Sequence, residues 1–464
     1  MLSDFILKRI RACLPYTPND QQEDLLTKLC QFLLSTEQER LFLLCGYAGT
    51  GKTSIVAGVV QALQSLQQRT VLLAPTGRAA KVLSAYSGQP AYTIHKQIYR
   101  QKAMGDSRFG LSYNAHKDTL FIVDEASMIA NSSSADEQGF GTGRLLDDLL
   151  EYVYSGSNCS LLLIGDNAQL PPVGQTISPA LDYDYLQGYG LTITQHTLTQ
   201  VARQALDSGI LTNATNLRKQ IAEEDVLHAP TFVLDGFPDI RKLSGEEMVE
   251  EVERAYREVG VEETMIVVRT NRRMNLYNQG IRARVLWKED EISGGDRIMV
   301  TRNNYFWTKQ YEGLDFLANG DMFEIGRLKH FREMYGYHFV DASLRALDYD
   351  WEIDVVLWLD TLSTDSPEAN YQLQKTLVSR IAEDYPEIHS KKEMWKKIME
   401  SPYYNALQVK HAYAVTCHKA QGGQWKRVFV DQGMITEDQY GIDYYRWLYT
   451  ALTRASEQLF LINF

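Results

Sequence analysis

The chain has 464 residues, 44% hydrophobic and 23% charged, which is enough apolar material for large cores. At roughly 150 residues per domain that length implies about three structural units, so a single small module and wholesale disorder are excluded. The 47 Lys and Arg against 59 Asp and Glu give a net charge of −12, which argues against non-specific coating of nucleic acid or an anionic membrane but not against a local basic channel.

At the N-terminus, Met1 to Arg11 carries Asp4, Lys8, Arg9 and Arg11 and lacks a signal-like apolar core, and no run of about 18 apolar residues follows anywhere. A cytoplasmic protein with no membrane partner is the expectation. The cysteines, Cys13, Cys30, Cys45, Cys159 and Cys417, are scattered and odd in number, so they fit neither a disulfide framework nor a zinc site and are read as reduced thiols.

Short apolar runs then recur, each closed by a polar turn: Leu41–Cys45, Val71–Ala74, Leu120–Val123 and Leu161–Ile164. These are predicted buried parallel strands, and the helix-length stretches Thr53–Gln67 and Arg78–Ser84 between them complete βαβ units. Residues 1–180 are thus read as one α/β domain with a short insertion near 99–117, where no decisive hairpin pattern stands. Asn131–Gly143 has a loop composition and Glu246–Glu263 an acidic amphipathic one; neither singles out a function. Later strands, Met265–Val268, Val428–Val430 and Leu459–Ile462, predict a second α/β domain in two pieces, 181–290 and 408–464. The interruption, 291–407, has strand-like runs at Arg297–Thr301, Met322–Ile325 and Val355–Leu359 and then a charged helical stretch, Ser366–Glu400, with Lys391, Lys392, Lys396 and Lys397. That stretch reads as a solvated helical face.

The strongest local signal is Gly46-Tyr47-Ala48-Gly49-Thr50-Gly51-Lys52-Thr53, a G-x-x-x-x-G-K-[ST] loop placed after a strand and before a helix. The glycines Gly46, Gly49 and Gly51 let backbone N–H groups, that of Thr50 among them, curl around phosphate oxygens. Lys52 reaches the β- and γ-phosphates and Thr53 ligates Mg²⁺. Asp124 and Glu125 directly follow the strand Leu120–Val123, Asp124 as the metal partner and Glu125 as the group that polarises the attacking water. Asp166 and Gln169 follow the next strand on the same edge, where ligands of doubly wound sheets bind, and Gln169 can sense phosphate without acting as a base.

Taken in order, GYAGTGKT (46–53), APTGRAA (74–80), TIH (93–95), DEASM (124–128), GDNAQLPPV (165–173), LTQVARQ (198–204), VTCHKAQGGQW (415–425) and YTALTRA (449–455) resemble the motif series of superfamily 1 helicases, and their spellings those of the RecD-like and Dda-like branch. The resemblance covers nearly the whole chain. It implies two RecA-like P-loop domains with parallel sheets and ATP between them, the second domain interrupted by a small β-barrel-like insertion. Arg203 and Arg454 match the arginines that stabilise charge on the transferring phosphoryl group. Gln21, with Gln22 beside it, matches the residue that reads adenine, and Gly422 is grouped with the nucleotide residues.

For the nucleic acid, the resemblance assigns Pro75, Thr76, Gly77, Arg78, Thr93 and His95 to backbone contacts, with Thr416, His418, Lys419 and Gln421 as further polar groups. From Lys410 to Val430 the chain carries Lys410, Lys419, Lys426 and Arg427 and no acid, the expectation for an electrostatic groove. Gln424 stands where related sequences often carry an acid. In the insertion, Tyr305, Phe306 and Trp307 either stack bases or pack in the core.

The implied function is an ATP-dependent, Mg²⁺-requiring helicase translocating 5′ to 3′ on single-stranded DNA or tailed duplexes, possible as a monomer, the polarity coming from the resemblance alone. Two alternatives stay open: a regulatory P-loop module that binds nucleotide without unwinding, and an RNA substrate.

Overall fold

The computed structural model describes residues 2–101, 109–132, 140–201, 207–311, 314 and 316–464. Two compact units divide the chain: Met1–Arg241 with Ala420–Gln424 and Ile435–Leu459, and Lys242–Lys419 with Trp425–Met434 and Phe460–Phe464.

In the first unit the strands are β1 (Arg40–Gly46), β2 (Arg69–Ala74), β3 (Ala91–Thr93), β4 (Tyr99–Gln101), β5 (Phe109–Leu111), β6 (Thr119–Val123), β7 (Ser160–Gly165) and β8 (Thr192–Leu198). Six of them form a parallel sheet of order β3-β2-β6-β7-β1-β8. Every residue of β1, β6 and β7 is buried, which is why these strands read as unbroken apolar runs. The edge strand β8 has no such run and carries the sheet past residue 180. The carboxyl ends of β1, β2, β3, β6 and β7 therefore present Gly46, Ala74, Thr93, Val123 and Gly165 at one edge.

The helix Lys52–Ser65 packs Val56, Val59 and Val60 against Leu25, Leu26 and Leu29 of the helix Asp20–Leu34 and against Phe42 and Leu44 of β1. Each such buried side chain contributes about 1.5–3 kcal/mol, and together they fix the loop between β1 and the helix. A capping box starts the helix Asp20–Leu34: Asn19 Oδ1 accepts from Gln22 N at 2.9 Å, and Gln22 Oε1 accepts from Asn19 N at 3.0 Å. The 99–117 segment contains an antiparallel pair, β4 with β5, registered Tyr99 opposite Leu111. Cys30, Cys45, Cys159 and Cys417 are buried and Cys13 half-buried, all five as free thiols.

The second unit continues with β9 (Ile240–Leu243), at whose start the chain enters it, and β10 (Thr264–Val268). A closed barrel follows, made by β11 (Arg297–Val300), β12 (Met322–Met334), β13 (Tyr337–Ala346), β14 (Glu352–Trp358) and β15 (Leu407–His411). The chain then adds β16 (Ala414–Thr416), β17 (Trp425–Asp431) and β18 (Ala455–Ile462), giving a five-stranded sheet of order β16-β10-β17-β18-β9. Within it β10 is parallel to both β16 and β17. The fold is α/β, with a six-stranded parallel sheet in the first unit and, in the second, a sheet whose β16, β10 and β17 are parallel and into which a closed barrel is inserted, as the sequence leads one to expect.

The charged stretch after β14 is two helices, Pro367–Ala382 and Lys391–Glu400, anchored by Leu377, Ile381 and Ile398 against Phe339 and Trp358 of the barrel. Trp307 packs against the same clusters and donates from Nε1 to Asn405 O at 2.7 Å, the core role among the two readings of the Tyr305–Trp307 run. Among the described residues no helix is long and apolar enough to cross a membrane.

Candidate active site

The loop after β1 turns through two left-handed glycines, Gly49 (φ 74°) and Gly51 (φ 85°). A Cβ on Gly51 would lie 2.8 Å from both Gln22 Nε2 and Tyr16 Oη, so the close approach as well as the dihedral requires glycine. Gln22 is buried and donates to Thr50 O at 2.9 Å, holding the loop from beneath. Lys52 Nζ donates to Gly46 O at 2.5 Å and to Tyr47 O at 2.8 Å.

β6 delivers Asp124, whose Oδ1 accepts from Glu125 N at 2.9 Å. Burial, followed by the charge of Glu125, raises the Asp124 carboxyl above the usual carboxylate range, while Lys52 opposes the rise. Glu125 itself stands in the left-handed region at φ 54°, a conformation that costs a non-glycine residue about 1 kcal/mol or more and that aims its side chain independently of the strand. From β7 comes Asp166, which folds the next turn by accepting Ala168 N at 3.0 Å on Oδ1. That turn buries Gln169, whose Oε1 has no hydrogen-bond partner among the described residues.

Arg454 is 3% exposed, with Nε donating to Thr450 O at 3.0 Å and Nη1 to Gly423 O at 3.3 Å, and Nη1 stands 4.0 Å from Glu125 Oε1. Lys52, Thr53, Asp124, Glu125, Gln169 and Arg454 line one cleft of about 460 Å³, with Gly49, Gly51 and Gly422 on its walls. Gly422 has φ 73°, and a Cβ there would meet Ala79 Cβ at 2.8 Å. Gly46 and Thr50 lie at the buried base of the same loop. A cationic Lys and Arg facing two carboxylates and a buried amide is a constellation for holding a polyphosphate and polarising a water beside it.

The other expected residues are placed less simply. Gln21 is not among the cleft residues: its Oε1 accepts from Thr199 N at 2.9 Å and Gln200 N at 3.0 Å, and its Nε2 donates to Thr199 Oγ1 at 2.8 Å. Arg203 lies outside the described residues. Thr76 and Thr93 cap helices, accepting from Ala79 N and Lys96 N at 3.2 Å each, so their hydroxyls serve the helix starts Gly77–Ser87 and Ile94–Ile98. Pro75 and Gly77 flank that first cap, and Arg78 Nη2 donates to Gln424 O at 3.0 Å. The ring of His95 packs edge-on to Phe140 and beside Tyr99, and burial pushes its pKa down to about 4. Gln421 is buried, its Nε2 donating to Leu170 O at 2.8 Å.

In the second unit, Thr416 is half-buried at the end of β16, His418 is exposed, and Lys419 Nζ donates to Asn319 Oδ1 at 2.5 Å. The expected run of basic groups needs correction at Lys410. That ammonium is turned inside, donating to Leu362 O at 3.1 Å, Thr364 Oγ1 at 2.9 Å and Thr364 O, and burial lowers its pKa to about 8. Arg427 pairs with Glu258, so its charge too is matched. β15 is buried on both faces: Leu407 and Val409 face the barrel core, and Lys410, on the opposite side, is covered by the segment that carries Leu362 and Thr364, which composition does not announce.

Three contributors escaped the reading of residue types. Tyr449 and Thr450 sit on the helix Ile442–Leu452 and bond the loops after β1 and β7; their only signal was membership of the YTALTRA string. Arg218 lies 4.3 Å over the Tyr47 ring, a cation–π contact with no sequence signature.

Residues 17–231 match the AAA domain family AAA_30 and residues 411–462 the UvrD-like helicase C-terminal domain family. The chain is 32% identical over 181 residues to the ATP-dependent RecD2 DNA helicase of Deinococcus radiodurans, a match covering 38% of this chain and 22% of that protein. It is 25% identical over 425 residues to the ATP-dependent DNA helicase dda of Enterobacteria phage T4, covering 83% of this chain and 86% of that one. An uncharacterized protein of Acanthamoeba polyphaga mimivirus, R530, is 21% identical across 95% of this chain and 99% of its own length. The two family matches on either side of the barrel and the bacterial and phage relatives agree with the ordered motif series in likening this chain to superfamily 1 helicases of the RecD-like and Dda-like side.

Proposed function

We propose that the chain is a DNA-dependent ATP hydrolase and DNA helicase that moves 5′ to 3′ along single-stranded DNA. The observation that carries the reading is the single cleft in which Lys52, Glu125, Gln169 and Arg454 converge, with Arg454 Nη1 4.0 Å from Glu125. In this role water attacks the γ-phosphorus, Glu125 takes up its proton, and the bond from that phosphorus to the β,γ-bridging oxygen breaks to leave ADP and phosphate. Gln169, through its Oε1, which has no partner among the described residues, accepts from and orients the water, while Lys52 and Arg454 balance negative charge on the transferring group. Thr53 and Asp124 are hard oxygen donors on the cleft wall and suit Mg²⁺, which when bound neutralises phosphate charge. Arg203 is assigned the same charge-balancing role as Arg454 on the motif match alone.

The DNA part of the proposal rests on the motif series and on the names of the bacterial and phage relatives. Pro75, Thr76, Gly77, Arg78, Thr93 and His95, with Thr416, His418, Lys419 and Gln421, are its proposed contact set. The helix starts capped by Thr76 and Thr93 follow β2 and β3 at the sheet edge that also carries the cleft, the edge where strand phosphates are proposed to lie.

ATP hydrolysis measured with and without single-stranded DNA, together with unwinding of duplexes bearing a 5′ or a 3′ tail, tests the whole reading. DNA should stimulate hydrolysis, unwinding should require the 5′ tail, and Lys52→Ala should abolish both activities. Stimulation with a 3′ preference would keep the motor and reject the polarity; nucleotide binding with no stimulation by DNA or RNA would leave a regulatory P-loop module.

A further inference from the structure

Tyr449 is fully buried on the helix Ile442–Leu452, yet its hydroxyl is not idle. It donates to Asp166 Oδ2 at 2.7 Å and accepts the N–H of Ala48 at 2.8 Å. Ala48 belongs to the phosphate loop after β1, and Asp166 opens the turn after β7 that carries Gln169. One oxygen atom therefore ties together the loops that follow the neighbouring strands β1 and β7, both of which line the cleft.

The neighbouring residue repeats the pattern on the same turn. Thr450 Oγ1 accepts from Leu170 N at 2.8 Å, and Leu170 O in turn accepts from Gln421 Nε2 at 2.8 Å. Residues 166–170 are thus held at both ends, at Asp166 by Tyr449 and at Leu170 by Thr450 and Gln421, with Gln169 between the two fixed points. Asp166 cannot swing without undoing its own turn, because Oδ1 is already bonded to Ala168 N at 3.0 Å. Burial and the adjacent Asp166 charge raise the Tyr449 phenol well above its ordinary range, so it remains a donor at any working pH.

We propose that Tyr449 is a positioning residue for ATP hydrolysis, its hydroxyl setting the distance between the phosphate loop at Ala48 and the Asp166 turn that presents Gln169. The inference rests on the hydrolase reading given above. Lys52 and the remaining loop amides would still hold the nucleotide without this bridge. Placement of Gln169 against the water would suffer, and misplacement by about 1 Å costs roughly a hundredfold in rate.

The test is Tyr449→Phe, which removes one oxygen and keeps the ring, compared with the unmodified chain for ATP KM, kcat and thermal midpoint. The expected result is a kcat lowered about tenfold or more with KM changed less than threefold and the midpoint within a few degrees. Thr450→Val gives a second entry to the same turn and should also lower kcat at nearly constant KM. Equal kcat in Tyr449→Phe and the unmodified chain would overturn the proposal, as would a raised KM with kcat unchanged. If Tyr449→Phe misfolds, Thr450→Val decides by the same criterion. An unmodified chain that does not hydrolyse ATP would sink the hydrolase reading and this one together, whereas an active chain indifferent to both substitutions would sink this one alone.

Discussion

Single residues carry more than their type announces, and Asp296 is the clearest case. In sequence it is the middle of Gly295-Asp296-Arg297, a turn in front of a strand. In the structure it is 0% exposed and accepts from Arg282 Nη2 at 2.9 Å, Lys288 Nζ at 2.8 Å, Ser293 N at 2.7 Å and Tyr413 Oη at 2.9 Å. Removing the carboxylate would strand the buried Arg282 guanidinium without its counter-charge. Asp296→Ala should therefore destabilise the second unit by about 3–5 kcal/mol, and Asp296→Asn by less, in urea or guanidinium titrations. A loss under about 1 kcal/mol for Asp296→Ala would show the network to be dispensable. The nucleotide residues, by contrast, were legible because each follows an apolar run: Lys52 after β1, Asp124 after β6, Gln169 after β7. Tyr449 was not, since a tyrosine on an apolar helix reads as core until its hydroxyl's partners are seen.

Among elements, legibility followed burial on both faces. The interiors of β1, β2, β6, β7, β10 and β17 stand out as runs of Val, Leu, Ile and Phe, and the helix Lys52–Ser65 follows from the glycine-rich loop before it. The edge strand β8, Thr-Ile-Thr-Gln-His-Thr-Leu, is exposed or half-buried at five of its seven positions and so gave no run to find. β3 and β16 have three residues each, too few for any period to show. The barrel was visible as a β-rich insertion, but its closure depends on pairings such as β11 with β15, more than a hundred residues apart in sequence, that local pattern does not encode. The β4–β5 pair lacked a hairpin signature for a related reason: Tyr99 is anchored by donating from its hydroxyl to Asp148 Oδ2 at 2.7 Å, a tertiary contact.

At the scale of the whole molecule, two histidines make stability depend on pH. Burial lowers His95 to about 4, and burial with the charges of Arg282 and Lys288 lowers His411 to about 4 against the opposing pull of Asp296. Both rings are neutral in the folded chain down to about that value, whereas an unfolded chain protonates them near 6.5. Between those limits the unfolded state binds more protons, so the stability these rings contribute is intact above about pH 6.5 and lost as pH falls towards 4. At pH 5 the loss is about 2 kcal/mol for each ring. Denaturant midpoints at pH 7.5 and 5.0 should differ accordingly, and the two imidazole proton resonances should show no titration near pH 6.5. Ordinary titration there would refute the assignment.

The five sulfurs are distributed so that alkylation can report on breathing of the fold. Only the thiolate reacts, and burial pushes Cys30 and Cys45 up to about 11, while Cys13 is half-buried and keeps an approach to water. In neutral buffer a maleimide should therefore mark Cys13 first, with the other four following at the rate of local opening. Cys45 ends the apolar run of β1 next to Gly46, so its labelling rate, read site by site in a mass spectrum, measures how often the strand that carries the phosphate loop comes undone, and nucleotide that binds that loop should slow it.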